Sequence, residues 1–268
     1  AIAGEPQRNL DFYTEVLGLR LVKLTVNFDD PQTYHFYFGD RHGRPGTLLT
    51  FFPWPGARPG VQGNGQIGRT AFSVPAASLA FWRRRLQEHA VSVEENASPF
   101  DGDALLFADP DGLPLELVPV EDGLGVEPWE PAAVPPQHAI HGFHHATLWE
   151  ADGERTARLL AETMGLRLAE ERGNAFRFRG REDQPAHTID MLVRRGAGRG
   201  IMGAGVIHHI AYRTAGDAQQ VQWREELLGL GLNVTPVIDR KYFHSIYFRE
   251  PGGVLFEIAT DPPGLTVD

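Results

Sequence analysis

GVIHHIAYRTAGD, Gly205–Asp217, sets two histidines at the head of an alternating apolar run that ends at Gly-Asp. Strict alternation is the period of a half-buried strand. GFHHATLWEAD, residues 142–152, is nearly the same text, and the chain opens with AIAGEPQ, which reads like that text with its front removed. His145 and His209 lie 64 residues apart, close to a quarter of the 268-residue chain, so the sequence divides into four units.

Each unit opens with a strand and continues with a helix. Asn9–Leu19, Ser78–Val91, Arg158–Leu166 and Trp223–Leu232 carry helical spacing, with Leu10, Tyr13 and Leu17 on one face of the first and Leu79, Trp82 and Leu86 on one face of the second. Gly18, Gly165 and Gly229 stand where a left-handed helix cap is expected; the second unit has no such glycine. Alternating strands close each unit, for example Phe107–Val118 and Phe248–Ala259, and aligning Asp109-Pro110 with Glu250-Pro251 sets Glu116 on Glu257. The expected fold is therefore α+β, four tandem βαβββ units with curved mixed sheets. Val126–Gly142 carries four prolines and reads as an extended linker. The expected division is residues 1–125, a linker at 126–141, and residues 142–268, with two units in each half. RRGAGRGIMGAG, Arg194–Gly205, precedes a strand rather than a helix, so it reads as a flexible connector and not as a dinucleotide loop.

The chain is acidic, with a formal charge of −10, which disfavours nucleic acid as a partner. It has no cysteine, so disulfides, thiolate metal sites and a cysteine nucleophile are excluded, and a reducing, cytoplasmic location is expected. No apolar run is long enough to span a membrane.

His208 and His209 begin the first strand of unit four, and Glu257 lies on its last. Side-chain parity sends neighbours to opposite faces, so one histidine is expected in the concavity with Glu257. A neutral imidazole and a carboxylate are ligands for Fe(II), Mn(II) or Zn(II), and two histidines with one carboxylate make a facial triad.

Tandem βαβββ units, HHIA opening a unit and LFEIATD closing it resemble the vicinal oxygen chelate (glyoxalase–extradiol dioxygenase) superfamily. Val26–Asp40, Gly46–Pro55 and the spacing His209, Arg240, Tyr247, Glu257 resemble more narrowly its ring-cleaving dioxygenases acting on hydroquinones. That resemblance implies a non-haem Fe(II) enzyme, with Mn(II) as an alternative metal, that inserts O2 into a small aromatic diol, hydroquinone-like or catecholic. It implies a homo-oligomer. It puts His209 and Glu257 on the metal in a cup shared by units one and four. The third ligand would stand four positions before Ala1. In the catechol-cleaving arrangement His145 would be the third ligand. The resemblance also sets His208, Arg240 and Tyr247 near the substrate, as a proton relay, an oxyanion partner and a hydrogen-bond donor.

Other readings stand beside these. His208 can serve only to orient its neighbour, Arg240 can be a surface ion pair, and His144 and His145 can be a packing pair. Arg69 occupies the slot of His209 in unit two, where it would pair with Glu116, and Asp190 and Thr50 fill the slot of Glu257 in units three and one. Phe36, Phe38, Phe51, Phe52 and Trp54 are expected in the core or the cavity wall. A glyoxalase-like isomerase would need a fourth ligand where Thr50 stands, and a metal-free binding protein of the same fold is the remaining alternative.

Overall fold

The structure is a computed structural model, and it describes residues 1–95, 98–121, 129, 133–180 and 188–267. Unit one comprises β1 (Ile2–Ala3), α1 (Pro6–Asp11), β2 (Arg20–Val26), β3 (Tyr34–Gly39) and β4 (Leu49–Pro53). Unit two comprises β5 (Gln66–Pro75), α2 (Leu79–Glu88), β6 (Glu94–Glu95), β7 (Leu105–Ala108) and β8 (Pro114–Val120). Unit three comprises β9 (Phe143–Glu150), α3 (Glu154–Arg158), β10 (Arg167–Arg172), β11 (Ala175–Arg179) and β12 (Thr188–Val193). Unit four comprises β13 (Ile210–Thr214), α4 (Asp217–Gly229), β14 (Ile238–Asp239), β15 (Phe243–Arg249) and β16 (Leu255–Pro263). The βαβββ order holds in all four, and in each the first strand runs parallel to the last.

The odd units share a signature that the even units lack. α1 and α3 each run into a π-helical turn, Phe12–Val16 and Leu159–Thr163, closed by Leu17 N–H to Phe12 O and Met164 N–H to Leu159 O. Gly18 and Gly165 follow with φ of +71° and +70°, the left-handed caps read from the sequence. In unit four the left-handed residue is Gly231, because α4 continues through Gly229, and in unit two Ala90 takes the conformation. Each helix buries one stripe on its sheet. Tyr13 and Leu17 are fully buried, with the Tyr13 ring 4.6 Å from Phe51 and 5.2 Å from Phe38; Trp82 and Leu86 do the same in unit two. Burying each of these side chains contributes roughly 1.5–3 kcal/mol.

The sheets pair across the chain rather than along it. β5 is hydrogen-bonded antiparallel to β9, so units two and three form one eight-stranded sheet, ordered β10-β11-β12-β9-β5-β8-β7-β6. Units one and four face each other in the same way through a shorter seam, Ile2 N–H to Val206 O and Gly205 N–H to Ile2 O, both 3.0 Å. The sequence boundary at 126–141 therefore falls between two units that share one sheet.

Both connectors make contacts with the units beside them. Residues 126–128 and 130–132 of the Pro-rich stretch lie outside the described residues. What is described of the rest packs on α2: the His138 ring stacks 4.2 Å from Phe81, and Trp82 Nε1 donates to His138 O. Arg194–Gly205 is paired with residues 58–64, through Gly60 N–H to Ala204 O, reciprocal bonds between Val61 and Ile201, and Gly200 N–H to Asn64 O. Its glycines allow this contact: a Cβ on Gly63 would lie 2.4 Å from Gly200 N.

Candidate active site

Units one and four together form a cup. β15 and β16 are antiparallel with Tyr247 opposite Glu257, so Ser245, Tyr247 and Glu257 share one face. The sheet carrying them is clamped to α4 by buried Gln220, whose Nε2 donates to His244 O and Ile258 O at 2.8 Å. On the unit-one side Tyr37 stands opposite Thr50, which puts His35, Tyr37, Thr50 and Phe52 on the concave face and Phe36, Phe38 and Phe51 on the helix side.

Glu257 is the centre of the cup. Its Oε1 accepts from Tyr247 Oη at 2.8 Å and from Ser245 Oγ, and its Oε2 lies 2.8 Å from His209 Nε2. Burial alone would raise its pKa, but His209, Ser245 and Tyr247 outweigh that and hold it below the usual carboxylate range. The carboxylate is thus ionised, with one oxygen anchored by Tyr247 and Ser245 and the other beside the His209 imidazole nitrogen. Two metal bonds of about 2.1 Å at a right angle span about 3 Å, so this donor pair fits one divalent ion.

His208 precedes β13 and does not turn to the opposite face, as parity predicts for a strand residue. Its Nδ1 lies 2.9 Å from His209 Nδ1, and its ring meets Phe52 at 6.3 Å. A lone pair on His209 Nε2 requires the proton on His209 Nδ1, so His208 Nδ1 accepts it and fixes the tautomer. Burial, then His209, push the His208 pKa down to about 3, so it is neutral at pH 7. The contact with His209 is one that orients the metal-facing ring.

Arg240 lies in the turn after β14. Its guanidinium is 5.5 Å from the centre of the Tyr247 ring and donates to Asp29 at 3.0 Å across the units. Burial and the Glu257 charge raise the Tyr247 pKa, so its phenol stays protonated. His35, missed by the sequence reading, is sandwiched between Tyr37 and Phe52; burial lowers its pKa to about 3. The signal was the parity of YHFYF, which sends His35 and Tyr37 to the face opposite the phenylalanines.

The structure does not bring His145 to His209 and Glu257. His145 sits in the cup of units two and three, with Nε2 3.2 Å from Glu116 and 3.4 Å from Asp190. Arg69 pairs with Glu116 at 2.9 Å, as its place in the repeat predicts. Arg177 binds Asp190 through Nε and Nη2, each at 2.7 Å, and binds both oxygens of Asp101. Asp101, His144 and His145 bring ligand-type atoms within 4.8 Å of one another. The Asp101 oxygens are taken by Arg177, however, and the 2.9 Å contact between the two histidines recurs at His208–His209. Shifting by the separation of the two π-helical turns sets the counterpart of His145 three positions before Ala1 rather than four.

The family model described as the Glyoxalase/Bleomycin resistance protein/Dioxygenase superfamily matches residues 1–117 and 142–258. The chain belongs to that superfamily. It is 49% identical over its whole length, and 85% of the relative's, to a Bacillus subtilis (strain 168) protein named "Putative ring-cleaving dioxygenase MhqO". It is 34% identical to the "Chlorohydroquinone/hydroquinone 1,2-dioxygenase" of Sphingobium indicum, over 95% of this chain and 81% of that one. A solved Bacillus subtilis structure titled a putative dioxygenase superposes with a TM-score of 0.91 at 49% identity, covering 98% of this chain and 84% of that one. Glyoxalase I from Zea mays, at 13% identity and TM-score 0.73 over 97% of this chain and 90% of that one, shares the fold. Among the described residues no helix is long and apolar enough to cross a membrane.

Proposed function

We propose that this superfamily member is an extradiol-type ring-cleaving dioxygenase acting on a hydroquinone-like aromatic diol with O2. His209 and Glu257 would hold Fe(II), with Mn(II) as the alternative ion, and the third ligand would come from the first strand of unit one ahead of Ala1. The carrying observation is the His209–Glu257 donor pair at 2.8 Å, braced by Tyr247 and Ser245, in a cup walled by aromatic rings. The relatives named as ring-cleaving and hydroquinone dioxygenases agree with it. The ion would supply the activation of O2 and lower the pKa of a bound phenol.

The chain's own residues do the rest. Tyr247 and Ser245 fix the rotamer of Glu257, and His208 fixes the tautomer of His209. Phe52, Tyr37 and Tyr242 offer ring faces and edges to a flat aromatic substrate. Arg240, always charged, is placed to balance an anionic ring oxygen. The isomerase alternative lacks a carboxylate at Thr50.

The test is O2 uptake by protein loaded anaerobically with Fe(II), offered hydroquinone and catechol in parallel. Uptake with hydroquinone is expected, falling at least a thousandfold in His209→Ala and Glu257→Ala together with loss of bound iron. Uptake with catechol alone, or none with either while iron is bound, would overturn the proposal.

A further inference from the structure

The cup has a second polar end. His35 lies on its concave face, with its ring 4.1 Å from Tyr37 and 4.2 Å from Phe52. Both neighbours reach across to unit four: Tyr37 meets Tyr242 at 6.5 Å, and Phe52 meets His208 at 6.3 Å. His35 is 9% exposed, and its Nε2 is buried without a hydrogen-bond partner. Of the four residues that face the cup from β3 and β4, it alone holds such an atom. A buried imidazole nitrogen left unpaired is costly, and a ligand that completes it recovers that cost.

A para-diol needs such a group. Its two oxygens lie at opposite ends of the ring. When one sits at the His209–Glu257 pair, the other is carried away from it into the aromatic wall and stripped of water. An ortho-diol keeps both oxygens at the same end and leaves the far wall untouched. Resting on the dioxygenase reading, we propose that His35 Nε2 hydrogen-bonds the remote hydroxyl of a para-diol and so selects para- over ortho-diols. Either tautomer serves, because a hydroxyl both donates and accepts.

The test is anaerobic binding to the Fe(II)-loaded protein, followed by quenching of aromatic fluorescence, with hydroquinone, 4-methylphenol and catechol as probes. Wild-type protein is expected to bind hydroquinone about tenfold more tightly than 4-methylphenol, the size of one net hydrogen bond. His35→Phe should remove that preference while leaving 4-methylphenol binding unchanged, and His35→Gln, which keeps a donor and an acceptor, should retain part of it. Equal wild-type affinity for hydroquinone and 4-methylphenol overturns the assignment without any variant, and so does a full preference kept by His35→Phe. O2 uptake by the wild type, run alongside, separates the two proposals. Uptake with hydroquinone but no discrimination between the probes defeats the role of His35 alone, whereas no uptake with any diol defeats the dioxygenase reading.

Discussion

Two cups built from the same repeat have opposite electrostatics. In the cup of units one and four, Glu257 meets an imidazole and two hydroxyls, its Oε2 lying 2.8 Å from His209 Nε2. In the cup of units two and three, the corresponding Glu116 meets the Arg69 guanidinium, and Asp190 and Asp101 meet Arg177. Arg69 stands where the first cup has His209. An imidazole has a lone pair to give to a metal, and a guanidinium has none. That exchange at one register position neutralises Glu116, and the Arg177 pairs with Asp101 and Asp190 complete a self-neutralising ion network. Phe100 closes that network off by lying against the Arg177 guanidinium at 4.7 Å. The cavity left beside it, bordered by Arg69, Glu116, His145 and Asp190, is about 10 Å3, roughly one water.

The largest effect should come from breaking the network. Arg177 is 2% exposed and is shared by two carboxylates. Arg177→Met leaves Asp101 and Asp190 buried without their partner, and about 3–5 kcal/mol of stability should be lost. Urea unfolding measures it, while iron bound per folded chain should not change. A loss of iron equal to that in Glu257→Ala would mean that the two cups are not separate sites. The same network sets an acid limit. Glu116 and Asp101 are held below the usual carboxylate range against the pull of burial, by His145 and Arg69 and by Arg177 respectively. A depressed folded pKa gives stability that is present above the unfolded value and lost as pH falls. The wild type should therefore lose stability from about pH 4.5 downward. Arg177→Met should lose less over that window, which a urea series across it would show.

How much of this was legible in the sequence differs between the cups for a physical reason. The unit order, Glu257 opposite Tyr247, and the Arg69–Glu116 pair follow from alternation and from repeat register, both local properties. Asp101 and Arg177 belong to no repeated slot and meet across 76 residues, so no spacing announces them. The pairing of β5 with β9 is likewise a contact between strand edges, and alternation along a strand does not say which edge finds which. His35 was hidden among aromatic residues that read as core, although its parity differs from that of Phe36 and Phe38.

A third contrast lies between the odd units. Shifted by the same repeat, Ala3 of unit one corresponds to Glu150 of unit three, and both are fully buried. Glu150 faces Glu250 and has no hydrogen-bond partner for either oxygen as a carboxylate; burial first, then Glu250, push its pKa up to about 8. A raised folded pKa means stability that is complete below the unfolded value and lost as pH rises toward 8. Glu150→Gln should leave the thermal midpoint unchanged below about pH 4.5 and raise it by a few degrees at pH 9. Equal midpoints at pH 9 would show that the two carboxyls do not confront each other.

The smallest expected change in stability returns to the first cup. Asp29 is exposed, yet it holds the Arg240 guanidinium at 3.0 Å from the opposite unit. An exposed partner contributes little to folding, so Asp29→Asn should cost under about 1 kcal/mol. Its effect belongs to the position of Arg240 over Tyr247. A few-fold rise in KM for hydroquinone with kcat nearly kept is expected, with Asp29→Glu restoring it. Added salt should raise the wild-type KM in the same direction, because an exposed pair is screened. An unchanged KM in Asp29→Asn would show that packing against Tyr247 alone holds Arg240. The first cup would then resemble the second less than the shared guanidinium–carboxylate chemistry suggests, since in the second cup the carboxylates themselves fix Arg177.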